Sequence, residues 1–292
     1  MKRRKIAIVG STGQLGTDLS EVLREDDRFD VIPLSHQDAD CTKTNEVQSV
    51  LLKLHPDAVI NCAAYVRVDE CEDHAHEAFE VNAIGALNIA RACAAADALC
   101  VYVSTDYVFD GAKGMPYIES DPTFPINVYG ASKLAGEHLV QQTAPRCLIV
   151  RMASLFGKTG ARGKGGNFIE TVLRRVKASE PLRVVNDVTM SPTYARDASE
   201  ALALALRDEM TGPLHLTNGG ACTWYEFAEA VLDFTGFGAP VVPVSSKALP
   251  MPARRPHNSA LKSERPFREL RQWQDALEAY LIEKGHVTRG IV

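Results

Sequence analysis

The sequence predicts an α/β protein with a doubly wound parallel sheet of the Rossmann type and a smaller C-terminal α+β unit. Three observations lead to this prediction. Short β-branched runs alternate with longer helical patterns through the first half of the chain, a glycine-rich turn directly follows the first run, and the alternation ends near residue 152. Strands that alternate with helices form a parallel sheet with helices on both faces.

Five strand candidates account for the alternation. They are KIAIVG, FDVIPL, DAVINCAA, LCVYVS and RCLIVRM, and the segments between them repeat apolar residues at helical spacing. After residue 152 come a loop rich in Gly and Lys, a helical pattern and a mixed polar stretch, so a second unit is expected there. We predict a first domain at 1–152, rejoined by about 193–208, and a second domain at 153–192 and 209–292.

The composition is that of a globular chain with a large core. The 292 residues are 46% hydrophobic and 24% charged, with a net charge of −5. An acidic chain lacks the excess of Lys and Arg that a phosphate backbone requires, so nucleic acid is not an expected partner. No apolar run approaches the ~20 residues of a membrane helix, so we expect no membrane association and a cytoplasmic location. Seven cysteines without a C-x-x-C pair favour reduced thiols.

One cluster resembles a metal site, the segment CEDHAH from Cys71 to His76. It opens an apparent helix, where acidic residues are favourable in any case. No second group of ligands is evident elsewhere in the sequence. No metal is therefore predicted.

The glycine-rich turn, GSTGQLG, lies between the first strand and a helical pattern. Its glycines are arranged as G-x-x-G-x-x-G. Glycines keep such a turn tight and let backbone N–H groups approach a pyrophosphate at the helix N-terminus. We therefore predict a dinucleotide-binding first domain, with contacts from Gly10, Thr12, Gly13, Gln14, Leu15 and Gly16.

The segment PLSHQDAD, after the second strand, bears on the identity of the dinucleotide. Ser35 and His36 occupy the expected strand tip, where NAD-binding proteins place an acidic residue against the ribose hydroxyls. The sequence thus allows NADPH or NADH, with a slight preference for NADPH because no carboxylate would repel its 2′-phosphate. Asp40 and the adjacent Cys41 are expected beside the adenine.

A tyrosine and a lysine lie four residues apart in NVYGASKLAGEHLV, a spacing that places Tyr129 and Lys133 on one helical face. The same spacing recurs near the C-terminus as Tyr280 and Lys284, so spacing alone decides nothing. Tyr129, however, follows VYVSTDYVFDG, which sets Thr105 at the carboxyl end of a strand, where ligands of open parallel sheets bind. We predict that the first pair faces a reactive site and that the second pair is structural.

These segments together resemble the extended short-chain dehydrogenase/reductase superfamily and, more narrowly, the dTDP-4-dehydrorhamnose reductase family. The resemblance implies an NAD(P)H-dependent reductase of the 4-keto group of a nucleotide-linked 6-deoxyhexose, first of all from dTDP-4-dehydrorhamnose to dTDP-L-rhamnose. The second unit is then the substrate-binding domain. The matching segments, from residue 10 to about 261, are GSTGQLG, INCAAY, VDECE, VNAIGALNIA, STDYVFDG, YGASKLAGE, GGNF, SPTYARD and PARRPHNSAL.

The resemblance also implies residue roles. Tyr129 protonates the carbonyl oxygen, Thr105 stabilises the developing alkoxide, and Lys133 lowers the pKa of Tyr129 and contacts the nicotinamide ribose. Both Tyr129 and Lys133 thereby also contact the cofactor. The further cofactor contacts that it implies are Cys62, Ala63, Ala64 and Tyr65. The substrate contacts that it implies are Val66, Val68, Tyr107, Ser154, Arg254 and Arg255, with the two arginines expected on the diphosphate.

The chain departs from the family pattern at two places. RMASLFG puts Met152 and Ser154 where Thr and Trp are common, and AAYVRVDE puts Val66 and Arg67 where smaller residues are usual. A Trp stacked on a sugar supplies apolar contact that Ser cannot replace. We therefore expect an altered sugar pocket, and a different nucleotide-4-keto sugar stays open as the substrate.

A second class of function also stays open. The regulatory subunit of methionine adenosyltransferase resembles the same family, binds NADP(H) and modulates a partner enzyme. The intact Tyr129–Lys133 pair and the PARRP segment favour a reductase. Some relatives bind Mg²⁺ at a subunit contact, but no ligand set in this sequence commits to a metal. A homodimer is compatible with the sequence, which does not fix the oligomeric state.

Overall fold

The computed structural model describes residues 3–160 and 166–288. Twelve strands and ten α-helices follow one another in these ranges. The strands are β1 (Arg4–Val9), β2 (Phe29–Leu34), β3 (Ala58–Asn61), β4 (Leu99–Thr105), β5 (Cys147–Met152), β6 (Leu155–Phe156), β7 (Leu182–Val185), β8 (Thr189–Met190), β9 (Thr193–Tyr194), β10 (Gly212–His215), β11 (Cys222–Thr223) and β12 (Val241–Val244).

The helices of the first unit cover its sheet, and three helices of the second unit surround a separate core. The α-helices are α1 (Gln14–Arg24), α2 (Thr44–Leu54), α3 (Glu70–Asp73), α4 (Ala75–Phe79), α5 (Gly85–Ala96), α6 (Val128–Thr143), α7 (Phe168–Lys177), α8 (Ala195–Arg207), α9 (Trp224–Thr235) and α10 (Trp273–Glu283). A π-helical turn spans Glu80–Ile84, and 3₁₀ turns span Asp106–Val108 and Ser246–Ala248.

The central sheet has six strands in the order β10-β5-β4-β3-β1-β2, and every neighbouring pair is parallel. The chain runs outward from β1 to β2 and then returns to β3 on the other side. The carboxyl ends of β1 and β3 therefore flank the topological switch point, which is where open α/β sheets bind ligands. Helices α1 and α8 cover one face with an apolar core, and α2, α5 and α6 cover the other. The predicted doubly wound α/β fold is confirmed.

All five predicted strands are present, and a sixth strand joins the sheet. Strand β10, which pairs with β5, lies beyond the segment 193–208 that was expected to complete the first unit. Its sequence, GPLH, lacks a β-branched run, and Pro213 is tolerated because β10 is an edge strand. We propose that the first unit comprises residues 3–152 and 193–215, and that the remaining described residues form the second.

The second unit has its own core of aromatic side chains between α7, α9 and α10. Tyr280 is fully buried there, and its hydroxyl donates a hydrogen bond to Glu170 Oε1 at 2.6 Å. Lys284 is exposed and donates to the carbonyl oxygen of Lys158. The prediction that this Tyr/Lys pair is structural is confirmed.

The loop GKTGARGKGGN precedes α7, and its residues 161–165 lie outside the described residues. Across the described ranges, no helix has the length and apolar character needed to cross a membrane. The segment CEDHAH forms α3 and the start of α4, with Cys71 buried. Among the side chains that the structure describes, no group of His, Cys, Asp and Glu is placed to hold a metal ion.

Candidate active site

A cleft of about 810 Å³ opens at the carboxyl edge of the central sheet. It runs from the glycine-rich turn, past the ends of β3, β4 and β5, to side chains of the second unit. Most of the predicted site residues line it. Those that do are Gly10, Thr12, Gly13, Gln14, Leu15, Asp40, Cys41, Cys62, Ala63, Ala64, Tyr65, Val66, Val68, Thr105, Tyr107, Tyr129, Lys133 and Ser154.

The glycine-rich turn is packed as tightly as the sequence pattern requires. Gly10 has a φ of +79°, and a Cβ there would lie 2.7 Å from the backbone nitrogen of Ala63. A Cβ on Gly16 would lie 2.4 Å from the carbonyl oxygen of Gly10. Gly16 therefore packs α1 against the turn and is not among the described residues that line the cleft, and its contact with the cofactor stays a prediction.

The N-terminus of α1 points into the cleft. Its N-cap is Gly13, and among the described side chains none accepts a hydrogen bond from the first N–H groups of this helix. Unpaired N–H groups and the positive end of the helix dipole favour an anion at this place. The turn can thus hold a pyrophosphate group.

The loop after β2 supplies the far end of the cleft. Ser35 and His36 follow the last residue of β2, as expected, and the Ser35 hydroxyl donates to Asp38. Asp40 accepts hydrogen bonds from the Thr42 backbone nitrogen and hydroxyl at 3.0 and 2.7 Å. Although burial opposes it, these hydrogen bonds hold the pKa of Asp40 below its usual value. The Asp38 carboxylate, which also accepts from the Ser35 backbone nitrogen at 2.8 Å, therefore lies at the β2 tip, where the sequence led us to expect no acidic group.

The end of β3 is held rigidly by asparagine side chains. Asn61 Oδ1 accepts from the Ala63 backbone nitrogen at 3.1 Å. Asn82 accepts from the Tyr65 nitrogen and donates to the Tyr65 carbonyl oxygen, so it pairs with both polar groups of that residue. The segment from Cys62 to Tyr65 is thereby fixed along the wall of the cleft.

Thr105 and Tyr129 meet at the centre of the cleft. Thr105 ends β4, and its hydroxyl donates to Asp106 Oδ1 at 2.9 Å. Tyr129 is the second residue of α6 and lines the cleft together with Thr105. The Tyr107 ring packs edge-on against the Tyr129 ring at 6.0 Å. Asp106 is buried, and burial raises its pKa to about 6, so it remains an ionised acceptor at neutral pH.

Lys133 is only 2% exposed and lies one helical turn beyond Tyr129. Its ammonium nitrogen donates to the Val103 carbonyl oxygen at 2.6 Å and lies 4.1 Å from the centre of the Tyr102 ring. Burial lowers the pKa of Lys133 to about 7, against the opposing charge of Glu137. Both protonation states are therefore accessible near neutral pH.

The pKa of Tyr129 differs from the sequence-based expectation. Burial and then the negative charge of Asp106 raise this pKa well above its ordinary value. Among the described hydrogen bonds, the Lys133 ammonium donates to Val103 and not to the Tyr129 hydroxyl. With its pKa raised, Tyr129 is a neutral phenol across the physiological range in this structure, and the lowering by Lys133 beside a bound nicotinamide stays a prediction.

The two arginines of the PARRP segment are not among the described residues that line the cleft. Arg255 pairs with Asp69 at 2.9 Å, and its guanidinium lies 6.0 Å from the centre of the Tyr107 ring. Arg254 is exposed, and its carbonyl oxygen accepts from Asn127 at 2.8 Å. Arg255 thus lies against Tyr107, a cleft residue, and the predicted contact of both arginines with the substrate diphosphate stays a prediction.

Ser154 lines the cleft with a φ of +43°, a left-handed conformation that is uncommon for residues other than glycine. The next residue, Leu155, lines the cleft as well. Two half-buried aromatic residues of the second unit, Phe168 and Trp224, line the same cleft with ring centres 4.7 Å apart.

Sequence reasoning missed this wall of the second unit. Its members lie at the first turns of α7 and α9, after the N-caps Asn167 and Thr223. The GGNF segment gave a signal for Phe168, whereas nothing near Trp224 distinguished it from a core residue. The members of this wall are Gly166, Asn167, Phe168, Thr171, Trp224 and Phe227.

A second cavity, of about 480 Å³, lies between α8 and α10. Two of its arginines pair with carboxylates: Arg271 pairs with Asp197, and Arg196 pairs with Glu25 and Glu200. It contains no predicted site residue and no strand end of the central sheet. We therefore assign the active site to the larger cleft.

The fold and the cleft together define a dinucleotide-binding α/β protein of the extended short-chain dehydrogenase/reductase type. The sequence pattern of the RmlD substrate binding domain matches residues 4–285, and the chain therefore belongs to this family. It is a dTDP-4-dehydrorhamnose reductase-like oxidoreductase, which confirms the predicted enzyme class.

Relatives support this assignment along nearly the whole chain. The spore coat polysaccharide biosynthesis protein SpsK of Bacillus subtilis is 35% identical over 285 residues, covering 96% of this chain and 98% of that protein. A dTDP-4-dehydrorhamnose reductase of Burkholderia thailandensis is 38% identical over 277 residues, covering 89% and 91%. The crystal structure of dTDP-4-dehydrorhamnose reductase from Bacillus anthracis in complex with NADP has a TM-score of 0.92 and 36% identity, covering 97% of this chain and 100% of that one.

Proposed function

We propose that the protein reduces the 4-keto group of a nucleotide-linked 6-deoxyhexose with NADPH or NADH, most directly dTDP-4-dehydrorhamnose to dTDP-L-rhamnose. One observation carries this proposal: Thr105, Tyr129 and Lys133 line a single cleft that also contains a glycine-rich turn built for a pyrophosphate. The similarity to reductases across the chain supports it further.

The described residues fit a nicotinamide dinucleotide. The space against Gly10, which a Cβ would fill, and the open N-terminus of α1 suit the pyrophosphate. Asp40 and Cys41 would lie beside the adenosine, and Lys133 beside the nicotinamide ribose. The chemistry that such a cofactor supplies is a hydride for the carbonyl carbon of the sugar. NADPH is preferred because the similar Bacillus anthracis enzyme was crystallised with NADP.

The protein itself supplies the proton and the environment for the new alkoxide. As the carbonyl carbon accepts hydride, the Tyr129 hydroxyl gives its proton to the carbonyl oxygen, so C=O becomes CH–OH. The raised pKa of Tyr129 suits this direction because the phenol keeps its proton until the oxygen becomes basic. Thr105 turns its hydroxyl from Asp106 to the same oxygen and stabilises the developing charge. Lys133, with a pKa of about 7, can return a proton to Tyr129.

The sugar is the less determined part of the proposal. Ser154 leaves room at a position where the family usually has Trp, and Val66 and Arg67 also depart from the family pattern. We propose that Phe168 and Trp224 supply apolar contact from the second unit instead. A nucleotide-4-keto sugar that differs in the base or in the C4 configuration of its product therefore stays the second candidate.

Turnover of purified nucleotide sugars tests the proposal. We expect NADPH to be oxidised in the presence of dTDP-4-keto-6-deoxyhexose, with one 6-deoxyhexose formed per NADPH consumed. A matched panel with UDP- and GDP-linked 4-keto sugars, analysed for C4 configuration, identifies the preferred substrate. Binding of NADPH without turnover of any member of the panel would contradict the proposal and favour a regulatory subunit, the alternative class. A cytoplasmic location and a homodimer remain predictions.

A further inference from the structure

Two buried polar side chains, one helical turn apart, dock α6 onto β4. Lys133 donates to the carbonyl oxygen of Val103 at 2.6 Å. Glu137 accepts from the hydroxyl of the next strand residue, Ser104, at 2.5 Å. Lys133 and Glu137 are each 2% exposed. Because α6 carries Tyr129 and β4 carries Thr105, these contacts set the position of one reactive hydroxyl relative to the other.

The Glu137 carboxylate is held by a bidentate guanidinium. Arg151, on β5, donates from Nε to Oε1 at 3.0 Å and from NH2 to Oε2 at 2.7 Å. The other terminal nitrogen of Arg151 lies 3.4 Å from His215 Nε2 on β10. The network thus joins α6 to three neighbouring strands below the floor of the cleft. A buried, fully bonded ion pair of this kind defines a geometry more than it adds stability.

We propose that Glu137 is a positioning residue for the reduction, which fixes the register of α6 on β4 and favours the protonated form of Lys133. This inference rests on the proposed function of the cleft. It assigns to Glu137 two separable tasks, because the hydrogen bond to Ser104 depends on the length of the side chain whereas the effect on Lys133 depends on its charge.

The charged and titratable groups around Lys133 are few. Glu137 is one turn away on the same helix, and the thiols of Cys62 and Cys41 face Lys133 from the loops after β3 and β2. Both thiols are neutral at physiological pH because burial raises the pKa of each. Glu137 is therefore the group whose full negative charge opposes the burial of the ammonium.

The groups around Glu137 leave that charge in place. Arg151 and Ser104 donate to it, and the Tyr102 hydroxyl, which donates to the Asn82 carbonyl oxygen, is neutral because burial raises its pKa. His215 lies behind Arg151, and burial lowers its pKa, so it adds no positive charge near neutrality. The pKa of Lys133 is thus lowered by burial and raised by the charge of Glu137.

Two substitutions separate the tasks. Glu137→Gln keeps the shape and removes the charge, so we expect the pKa on the alkaline side of the kcat/KM profile to fall by roughly one unit. Glu137→Asp keeps the charge and shortens the reach, so we expect this pKa to stay in place while kcat falls by roughly tenfold. In the proposed complex Lys133 contacts the nicotinamide ribose, so its ionisation should also change the affinity for NADPH. Fluorescence titration with NADPH at several pH values therefore measures this ionisation without turnover.

Asp197→Asn is the matched control. Asp197 is another buried carboxylate in a bidentate pair, with Arg271 at 2.7 and 2.8 Å, but it is not among the described residues that line the cleft. Its loss should lower the melting temperature and leave both pH profiles unchanged. Ser104→Ala covers the case in which Glu137→Gln does not fold, and it should lower kcat without moving either pKa.

The outcomes distinguish this inference from the proposed function. Unmoved pH profiles in folded Glu137→Gln, or an equal shift in Asp197→Asn, would overturn the role in protonation. Unchanged kcat in both Glu137→Asp and Ser104→Ala would overturn the role in positioning. If the wild-type protein turns over no sugar but its NADPH-affinity profile shifts in Glu137→Gln, the substrate proposal fails and the effect of Glu137 on Lys133 stands.

Discussion

At the scale of single residues, the cleft uses burial to set protonation states. Lys133 has lost most of its hydration, which brings its pKa down to about 7, and Tyr129 has a raised pKa for the same reason. The result is a neutral phenol, Tyr129, that can donate a proton, and a nearby amine, Lys133, that can then supply a new proton to the phenol. This arrangement suits a reductase better than a phenolate would, because the carbonyl oxygen requires a proton.

Substitution of Lys133 tests this view of burial. Between pH 7 and about 10 the unfolded chain keeps a proton on this lysine and the folded chain does not, so the free energy of unfolding rises with pH. One such group contributes a slope of about 1.4 kcal/mol per pH unit. Lys133→Met should remove that slope and lose turnover, which urea unfolding at several pH values measures.

Lys284→Met provides the control for this measurement, because that lysine is exposed. It should leave the pH dependence of unfolding as it is in the wild-type protein. Equal slopes in the wild type and in Lys133→Met would show that the lysine is protonated in the folded state throughout this pH range.

At the scale of elements, the turn between β1 and α1 shows why local sequence predicted part of the site well. A strand, a tight glycine turn and a helix are adjacent in the chain, so the pattern GSTGQLG contains the whole arrangement. The same holds for Tyr129 and Lys133, which share one helical face. The pattern could not show that Gly16 packs against the carbonyl of Gly10 and away from the cleft, because that contact depends on the angle at which α1 leaves the turn.

Gly16→Ala tests this packing at the level of the element. A Cβ 2.4 Å from the Gly10 carbonyl oxygen must displace α1 or the turn. We expect a lower melting temperature and a loss of NADPH affinity of about tenfold or more, because the turn and the helix N-terminus move apart. Gly238→Ala is the control, since no atom lies within 4 Å of a Cβ there and its φ is not positive.

A fall in stability with unchanged NADPH affinity in Gly16→Ala would contradict this account of the turn. It would show that the turn keeps its shape when the helix shifts.

At the scale of the whole molecule, the cleft is completed by contacts between distant parts of the chain. Phe168 and Trp224 line it from helices of the second unit. Arg255, which lies beside Tyr107, pairs with Asp69, although the two residues are 186 positions apart in the sequence. Sequence patterns are local, so they predicted the strand ends and missed this wall. Strand β10 was missed for a related reason, because an edge strand containing Gly and Pro has no β pattern of its own.

The pairing of Asp69 with Arg255 leads to a prediction about the assembled cleft. Asp69 also accepts from the Ala253 backbone nitrogen at 3.1 Å, so it ties the PARRP segment to the first unit in two ways. Asp69→Asn should release Arg255 and Tyr107 and raise the KM for the nucleotide sugar several-fold. The affinity for NADPH, which depends on the other end of the cleft, should change much less.

Steady-state kinetics and NADPH titration of Asp69→Asn measure the two effects separately. Asp97→Asn serves as the control, because Asp97 is exposed, pairs with Arg146 on the surface and is not among the described residues that line the cleft. Equal losses in sugar and cofactor binding would indicate general unfolding of the cleft instead of a specific loss at its sugar end.

The convergence of Thr105, Tyr129 and Lys133 on one reacting carbonyl is tested most directly by turnover in Tyr129→Phe. This change removes one oxygen atom and keeps the ring that packs against Tyr107. We predict that kcat with dTDP-4-keto-6-deoxyhexose falls by about 10²- to 10⁴-fold while NADPH affinity stays within about threefold of wild type. Turnover within a few-fold of wild type in a variant that binds NADPH normally would contradict the account.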